Sequence, residues 1–242
     1  MRRLIFVFTL ALAAVWFFLS SILVVLFLPF AWKKPILAFY YSRVLSVPLQ
    51  KLFGYKVIIE GRKHLTEDLP CIFVGNHQSA IDLIVFGTSF INGAVTLAKR
   101  ELLRIPFFGL FLLGTGTVLI KRQNRRHSVA GLNEAKEAML SRGISVWMFP
   151  EGTRNGGSDK MLPFKRGAFH MAITAQRPVV AVVAPPQATY FDPKHGIIRR
   201  GRVKIRVLPP FSTKGLTSDD VGPLLEKVRG AMLAALQESN QH

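Results

Sequence analysis

Cys71-Ile72-Phe73-Val74-Gly75-Asn76-His77-Gln78-Ser79-Ala80-Ile81-Asp82 changes character in its middle. An apolar run closes at Gly75, polar residues follow, and an acidic residue stands where a helix can open. A short continuous apolar run bounded by a polar break reads as a strand buried on both faces. The reactive side chains of such a unit sit in the loop at the strand's carboxyl end.

The same pattern recurs outward from this stretch. Strand-like runs are expected at Lys56–Glu60, Ala94–Ala98, Thr117–Ile120, Ile144–Phe149, Pro178–Ala184 and Arg202–Leu208. Helical spacing lies between several of them. Ser128 is placed to N-cap a helix carrying Val129, Leu132, Ala135 and Met139, and Gly143 to end it. Ser218, with Asp219 and Asp220, opens a last helix through Leu224, Leu225, Val228, Met232, Leu233 and Leu236. Alternating strands and helices define an α/β fold: a mostly parallel sheet flanked by helices. A composition shift near Gly54 divides the chain into an N-terminal anchoring segment, 1–53, and an α/β domain, 54–242.

Composition narrows the class. With 242 residues, half hydrophobic and 19% charged, the chain is too apolar to be disordered. Its glycines and prolines show no period, which excludes collagen-like repeats. A single cysteine, Cys71, excludes an internal disulfide and a cysteine-based zinc site, and fits a reducing compartment. The net charge of +18 calls for anionic partners. A mean hydropathy of +0.30 turns that reading from nucleic acid toward a phospholipid surface.

Leu4 to Leu28 carries no charge. As a helix that run is about 37 Å long, enough to cross a hydrocarbon core of about 30 Å. Arg2 and Arg3 precede it and Lys33 and Lys34 follow, so charge leaves its orientation open. Pro29-Phe30-Ala31-Trp32 does not resemble a cleavage site, and the segment reads as a retained anchor. Lys33–Phe53 reads as a second helix, either amphipathic in the headgroup layer or packed in the core. With the first it makes either a membrane span with a neighbour or a helix pair entering one leaflet.

Three clusters carry candidate chemistry. In the first, His77 and Asp82 would lie about 140° apart on one helix. They meet only if His77 stands in the loop and Asp82 on the first helical turn. A carboxylate on one imidazole nitrogen fixes the tautomer and leaves the other nitrogen as a base. A loop histidine that caps a helix beside a first-turn aspartate has the same spacing. The second cluster is Phe149-Pro150-Glu151-Gly152-Thr153-Arg154-Asn155, in which Gly152 permits close approach and Arg154 offers a fork for phosphate. It also reads as a surface turn. The third runs from Lys99 to Arg126, with seven basic residues and one acidic, either a solvated face or a cationic wall beside the site.

Taken in order, these blocks resemble the lysophosphatidic acid acyltransferases, the 1-acylglycerol-3-phosphate O-acyltransferases. The resemblance covers about Ile72 to Val183 and rests on Asn76-His77 with Asp82, Lys99-x-Glu101-Leu102, Ile105-Pro106-x-x-Gly109, Phe149 to Arg154, and Leu162-Pro163-Phe164-Lys165-Arg166-Gly167. One departure is Ala181, where the family's late block usually has a second proline. The resemblance implies that His77 is the general base and Asp82 its orienting partner. Glu151, Gly152, Thr153 and Arg154 would form the acceptor site, with Lys99 and Arg122 as further phosphate or donor contacts. The acceptor hydroxyl would attack an acyl thioester directly, without a covalent acyl-enzyme, a metal or a resident cofactor. The implied partners are lysophosphatidic acid, acyl-coenzyme A or acyl-carrier protein, and a phospholipid membrane, with no nucleic acid. The implied place is a bacterial inner membrane, the site at its cytoplasmic face. Acyl transfer to another lysolipid, such as a lyso-ornithine lipid, and a membrane-anchored binder of anionic lipid or nucleic acid are the competing readings.

Overall fold

The computed structural model describes residues 2–120, 125–158 and 160–239, with only the backbone described for 125–128. The chain begins with α1 (Arg2–Leu26), a short α2 (Leu28–Ala31) and α3 (Ile36–Phe53). It continues through β1 (Tyr55–Glu60), β2 (Ile72–Gly75), α4 (Asp82–Phe86), β3 (Ala94–Lys99), α5 (Phe108–Gly114), β4 (Val118–Ile120), α6 (Arg125–Arg142), β5 (Ser145–Met148), α7 (Gly167–Ala175) and β6 (Val179–Val183). Two two-residue strands, β7 (Phe191–Asp192) and β8 (Ile197–Ile198), precede β9 (Gly201–Val207) and α8 (Val221–Ser239).

The main sheet runs in the order β1-β9-β6-β2-β5-β3-β4. Every neighbouring pair is parallel except β6 and β9, which are antiparallel. β2 is thus central. Successive side chains of a strand point to opposite faces, and the two apolar layers divide accordingly. Cys71 and Phe73 join the layer under α1, α3, α4 and α5. Ile72 and Val74 join the layer under α6, α7 and α8. Both faces are covered, so β2 and β6 are wholly apolar rather than alternating, as strands buried in a parallel sheet are.

Each of the seven expected strand runs overlaps a strand of this sheet. The differences lie at the start of α6 and in the β7–β8 hairpin. The helix expected to begin at Ser128 is already formed at Arg125, the first described residue after 120, and Ser128 lies inside it. Gly143 follows that helix with φ of +62°, a left-handed conformation suited to glycine. The last helical segment opens at Ser218, in a 3-10 turn that carries Asp219 and Asp220, and its cap is Thr217. Thr217 is extended (φ −115°) and exchanges hydrogen bonds with Asp220, a capping box that leads through a 3-10 turn into α8. The β7–β8 hairpin escaped notice because two-residue strands have no readable period.

α1 is held along one side. Phe6 stacks on Phe191 of the hairpin at 6.0 Å. The Trp16 indole N–H donates to the Val44 carbonyl at 3.0 Å, and Ser21 shares a hydrogen bond with Tyr41 at 3.0 Å. Phe17 packs on Phe108 of α5 at 5.0 Å. The other side of α1 presents Leu4, Val7, Phe8, Val15 and Leu19 to the outside. Among the described residues α1 is the one helix long and apolar enough to cross a membrane. α3, in contrast, buries Leu45, Leu49 and Phe53 in the same cluster as Phe73 of β2.

Candidate active site

β2 ends at mid-sheet, and the residues after it cannot continue an apolar strand. Asn76 turns inward instead, and its side-chain amide donates to the Ala184 carbonyl and accepts from the Ala184 N–H, both at 2.9 Å. This clamp ties the end of β2 to the end of β6. Gln78 repeats it one turn on: its amide donates to the carbonyls of Ala184 and Pro185 and accepts from the Gln187 N–H. His77 is left between two fixed points.

α4 opens at Asp82, and His77 stands in the loop before it. His77 Nδ1 lies 2.6 Å from Asp82 Oδ2. An ionised carboxylate only accepts, so Nδ1 carries the proton and Nε2 keeps a free lone pair. Asp82 Oδ2 also accepts from the backbone N–H groups of Gln78 (3.0 Å) and Ser79 (3.3 Å), and Oδ1 accepts from the Gln187 side-chain amide (2.5 Å). The carboxylate is 4% exposed and compensated by these donors. The imidazole stacks on Phe149 with centroids 4.2 Å apart and planes 13° apart. Its plane is therefore fixed by a ring on one side and a carboxylate at one edge, and the side chain stays 20% open to the outside.

β5 delivers the second cluster beside the first. The N–H groups of Asn155, and of Gly156 and Gly157, donate to the carbonyls of His77 and Gln78 at 3.0 Å, lacing the two loops together. Glu151 is buried beneath them. One of its oxygens accepts from the His77 backbone N–H at 2.7 Å and the other from the Leu162 N–H at 3.0 Å. Glu151, expected to help shape the acceptor pocket, holds the loop from below through these two bonds. Burial pushes its carboxyl above the usual range, and the two backbone N–H groups oppose that shift. Glu151→Gln should lower stability by about 1–3 kcal/mol, because one amide N–H of the new side chain would face a backbone N–H. Thermal unfolding measures the loss, and an unchanged melting temperature would refute the clamp.

Gly152 adopts φ of +72°, and a Cβ there would meet Lys165 Nζ at 2.7 Å. The lysine side chain crosses directly over this glycine. Thr153 and Arg154 are exposed, and Arg154 makes no hydrogen bond or ion pair among the described residues. Lys99 ends β3, two strands from β2 on the same edge, roughly 10 Å across at about 4.8 Å per strand. Lys99 shares that edge without joining the hydrogen-bonded cluster. Arg122 lies outside the described residues. In the Ile105 to Gly109 block, Gly109 has a structural reason: a Cβ would sit 2.3 Å from the Leu103 carbonyl oxygen.

The loops after β2, β5 and β6 thus build one site, a histidine backed by a carboxylate with cations at its rim. Asn76, Gln78, Gln187 and Lys165 belong to its surroundings and were not singled out by the spacing argument. The signal for the glutamines was their place at strand ends, which becomes specific only once strand order is known.

A family model described as Acyltransferase matches residues 56–184, and the chain belongs to that family. It is 38% identical over 191 residues to a 1-acyl-sn-glycerol-3-phosphate acyltransferase of Saccharomyces cerevisiae, spanning 78% of this chain and 63% of that one. Against the human 1-acyl-sn-glycerol-3-phosphate acyltransferase alpha it is 37% identical over 196 residues, spanning 81% and 69%. The match therefore covers under two thirds of the yeast protein's length. Among solved structures, the 1-acyl-sn-glycerophosphate acyltransferase PlsC of Thermotoga maritima superposes with a TM-score of 0.79 at 24% identity, covering 100% of this chain and 99% of that one, which establishes the shared fold.

Proposed function

We propose that this protein transfers an acyl group from an acyl thioester to the free glycerol hydroxyl of 1-acylglycerol-3-phosphate, giving phosphatidic acid. The observation that carries this reading is His77 Nδ1 on Asp82 Oδ2 at 2.6 Å, which leaves Nε2 as the base at a partly open site. His77 Nε2 takes the hydroxyl proton as that oxygen attacks the thioester carbonyl. The tetrahedral intermediate collapses, the thiolate leaves, and the imidazolium returns the proton to sulfur. Asp82 stabilises the imidazolium between these steps.

No protein nucleophile is needed in this scheme. The single cysteine fits that: Cys71 is fully buried at the start of β2, and burial pushes its thiol up to about 12. Arg154 and Lys165 at the rim are the cations we assign to the acceptor phosphate, with Lys99 and Arg122 as further contacts. The donor is acyl-coenzyme A or an acyl-carrier protein, both anionic, and the net charge of +18 suits their approach.

The exposed apolar side of α1 supports attachment to a membrane. Its packing against the hairpin, α3 and α5 supports a helix lying in one leaflet beside the domain rather than leaving it to cross. The site would then face the cytoplasmic side of a bacterial inner membrane, where the thioesters are made.

The test is acyl transfer by the purified chain in liposomes, with oleoyl-coenzyme A and an acyl-carrier thioester as donors. Lysophosphatidic acid, other lysophospholipids and a lyso-ornithine lipid are offered as acceptors. Phosphatidic acid from wild type alone, with His77→Ala silent, is the expected result; product from a different acceptor alone would overturn the assigned substrate. In the same assay Arg154→Ala should raise the KM for phosphate-bearing acceptors about tenfold, the worth of one charge-assisted contact near 1.4 kcal/mol, with kcat little changed. Unchanged constants would place the phosphate elsewhere.

A further inference from the structure

Gln187 stands behind the carboxylate of Asp82. It follows β6 in a short 3-10 turn and is 1% exposed. Its Nε2 donates to Asp82 Oδ1 at 2.5 Å, and its Oε1 accepts from the Ser79 hydroxyl at 2.5 Å. A carboxylate only accepts, so the amide nitrogen must face Asp82 and the amide oxygen must face Ser79. The Ser79 hydroxyl donates to Gln187 and accepts from the Ile81 N–H at 3.2 Å. Both ends of the amide are thereby committed.

The two oxygens of Asp82 have separate duties. Oδ2 receives His77 Nδ1 and two backbone N–H groups. Among the described residues, the hydrogen bond to Oδ1 comes from Gln187 alone. Without that donor a buried charged acceptor would be left unpaired, and the carboxylate would gain by turning about Cβ–Cγ to share the remaining donors. Such a turn moves Oδ2 away from His77. The turn around Gln187 has its own backbone bonds, Thr189 N–H to the Pro186 carbonyl and Tyr190 N–H to the Gln187 carbonyl. The Gln187 side chain is therefore not needed to close it.

We propose that Gln187 is a positioning residue for acyl transfer: it fixes the plane of the Asp82 carboxylate so that Oδ2 stays on the His77 imidazole, and Ser79 fixes Gln187 in turn. The kinetic half of this inference rests on the acyltransferase reading above.

The experiment uses the full chain with Gln187→Met, which keeps volume and removes the donor, and Gln187→Glu. The titratable groups facing the cluster are His77 and Asp82 from the β2 loop and α4, and Glu151 from the β5 loop. A carboxyl at 187 beside buried Asp82 holds its proton at pH 6 and ionises as pH rises. When protonated it donates to Asp82 Oδ1 and accepts from Ser79, as glutamine does. Gln187→Met should lower kcat by on the order of 10- to 100-fold, the loss of one hydrogen bond to a charged group, with both KM values within about twofold. Gln187→Glu should stay within about threefold of wild type at pH 6 and fall to the level of Gln187→Met by pH 9, each compared with wild type at the same pH. A purely structural role predicts no such pH-dependent rescue, and its absence would overturn the proposal, as would wild-type kcat in Gln187→Met or a loss confined to KM. A readout independent of turnover is the downfield proton resonance of His77 Nδ1–H, assigned by its loss in His77→Ala. Its disappearance in Gln187→Met, in protein that keeps its melting transition, supports the positioning role even if no offered acceptor is acylated. Its persistence unchanged would refute it. Should Gln187→Met not fold, the same resonance in Gln187→Glu, present at pH 6 and lost at pH 9, decides the question.

Discussion

His77→Ala should lower acyl transfer by about three orders of magnitude, within the range of a lost general base. The substrate hydroxyl has a pKa far above neutrality, so attack on a thioester without a proton acceptor must produce an unstabilised oxonium or wait for a rare alkoxide. In the proposed reaction the acceptor is Nε2, and its availability depends on Nδ1 being engaged by Asp82 at 2.6 Å. Alanine removes the ring but not the scaffold. The backbone N–H of residue 77 still reaches Glu151 and its carbonyl still receives Asn155, because both bonds are main-chain on this side. The ring is partly exposed and stacked on Phe149, and Asp82 Oδ2 keeps two backbone N–H donors when Nδ1 is gone, so stability should fall by about 1–3 kcal/mol, the worth of one hydrogen bond to a charged group. Initial rates in liposomes, with a melting curve on the same preparation, test both halves. Wild-type turnover in the variant would remove His77 from the chemistry. Loss of the fold would show that the ring is structural.

Asp82→Asn is the second large effect, and its size depends on charge rather than shape. Asparagine can keep its oxygen where Oδ2 stood, accepting from His77 Nδ1 and from the backbone N–H groups of Gln78 and Ser79. Its NH2 then occupies the place of Oδ1 and faces Gln187. Gln187 can reverse its amide, offering Oε1 to the new NH2 and turning its own NH2 toward Ser79, whose hydroxyl rotates to accept. The network closes again, so the fold survives. What is lost is the negative charge beside an imidazolium that forms in the transition state. The expected fall in kcat is on the order of 100- to 1,000-fold, somewhat under the loss known for the equivalent change in a serine-protease triad. KM for both substrates should stay within about twofold, since Asp82 is buried away from them. A pure KM effect would argue against the orienting role.

Much of the architecture was readable because its central strands are buried on both faces. Ile72–Gly75 and Val179–Val183 have no polar residue, and a short, unbroken apolar run between turn residues suits a strand sandwiched by two helix layers. Strand order was not readable, since nothing local in β9 states that it will lie antiparallel to β6 and parallel to β1. The spacing of His77 and Asp82 contained a real geometric constraint, and the loop-then-helix arrangement meets it. Glu151 illustrates the opposite case. A charged residue in a polar turn reads as surface, whereas its burial follows from two backbone N–H groups that only the folded loops bring to it. Gln187 was out of reach for the same reason, because its partner is 105 positions away along the chain.

That distance has a consequence during synthesis. The histidine and aspartate leave the ribosome about a hundred residues before the glutamine that grips the aspartate, and β6 and β9 emerge later still than β2. The greasy first helix is by then long exposed to whatever surrounds the nascent chain. On the proposed reading, docking to lipid can therefore run ahead of assembly of the reaction centre, and a half-made chain on the bilayer would hold its base without the alignment that gives the base its use.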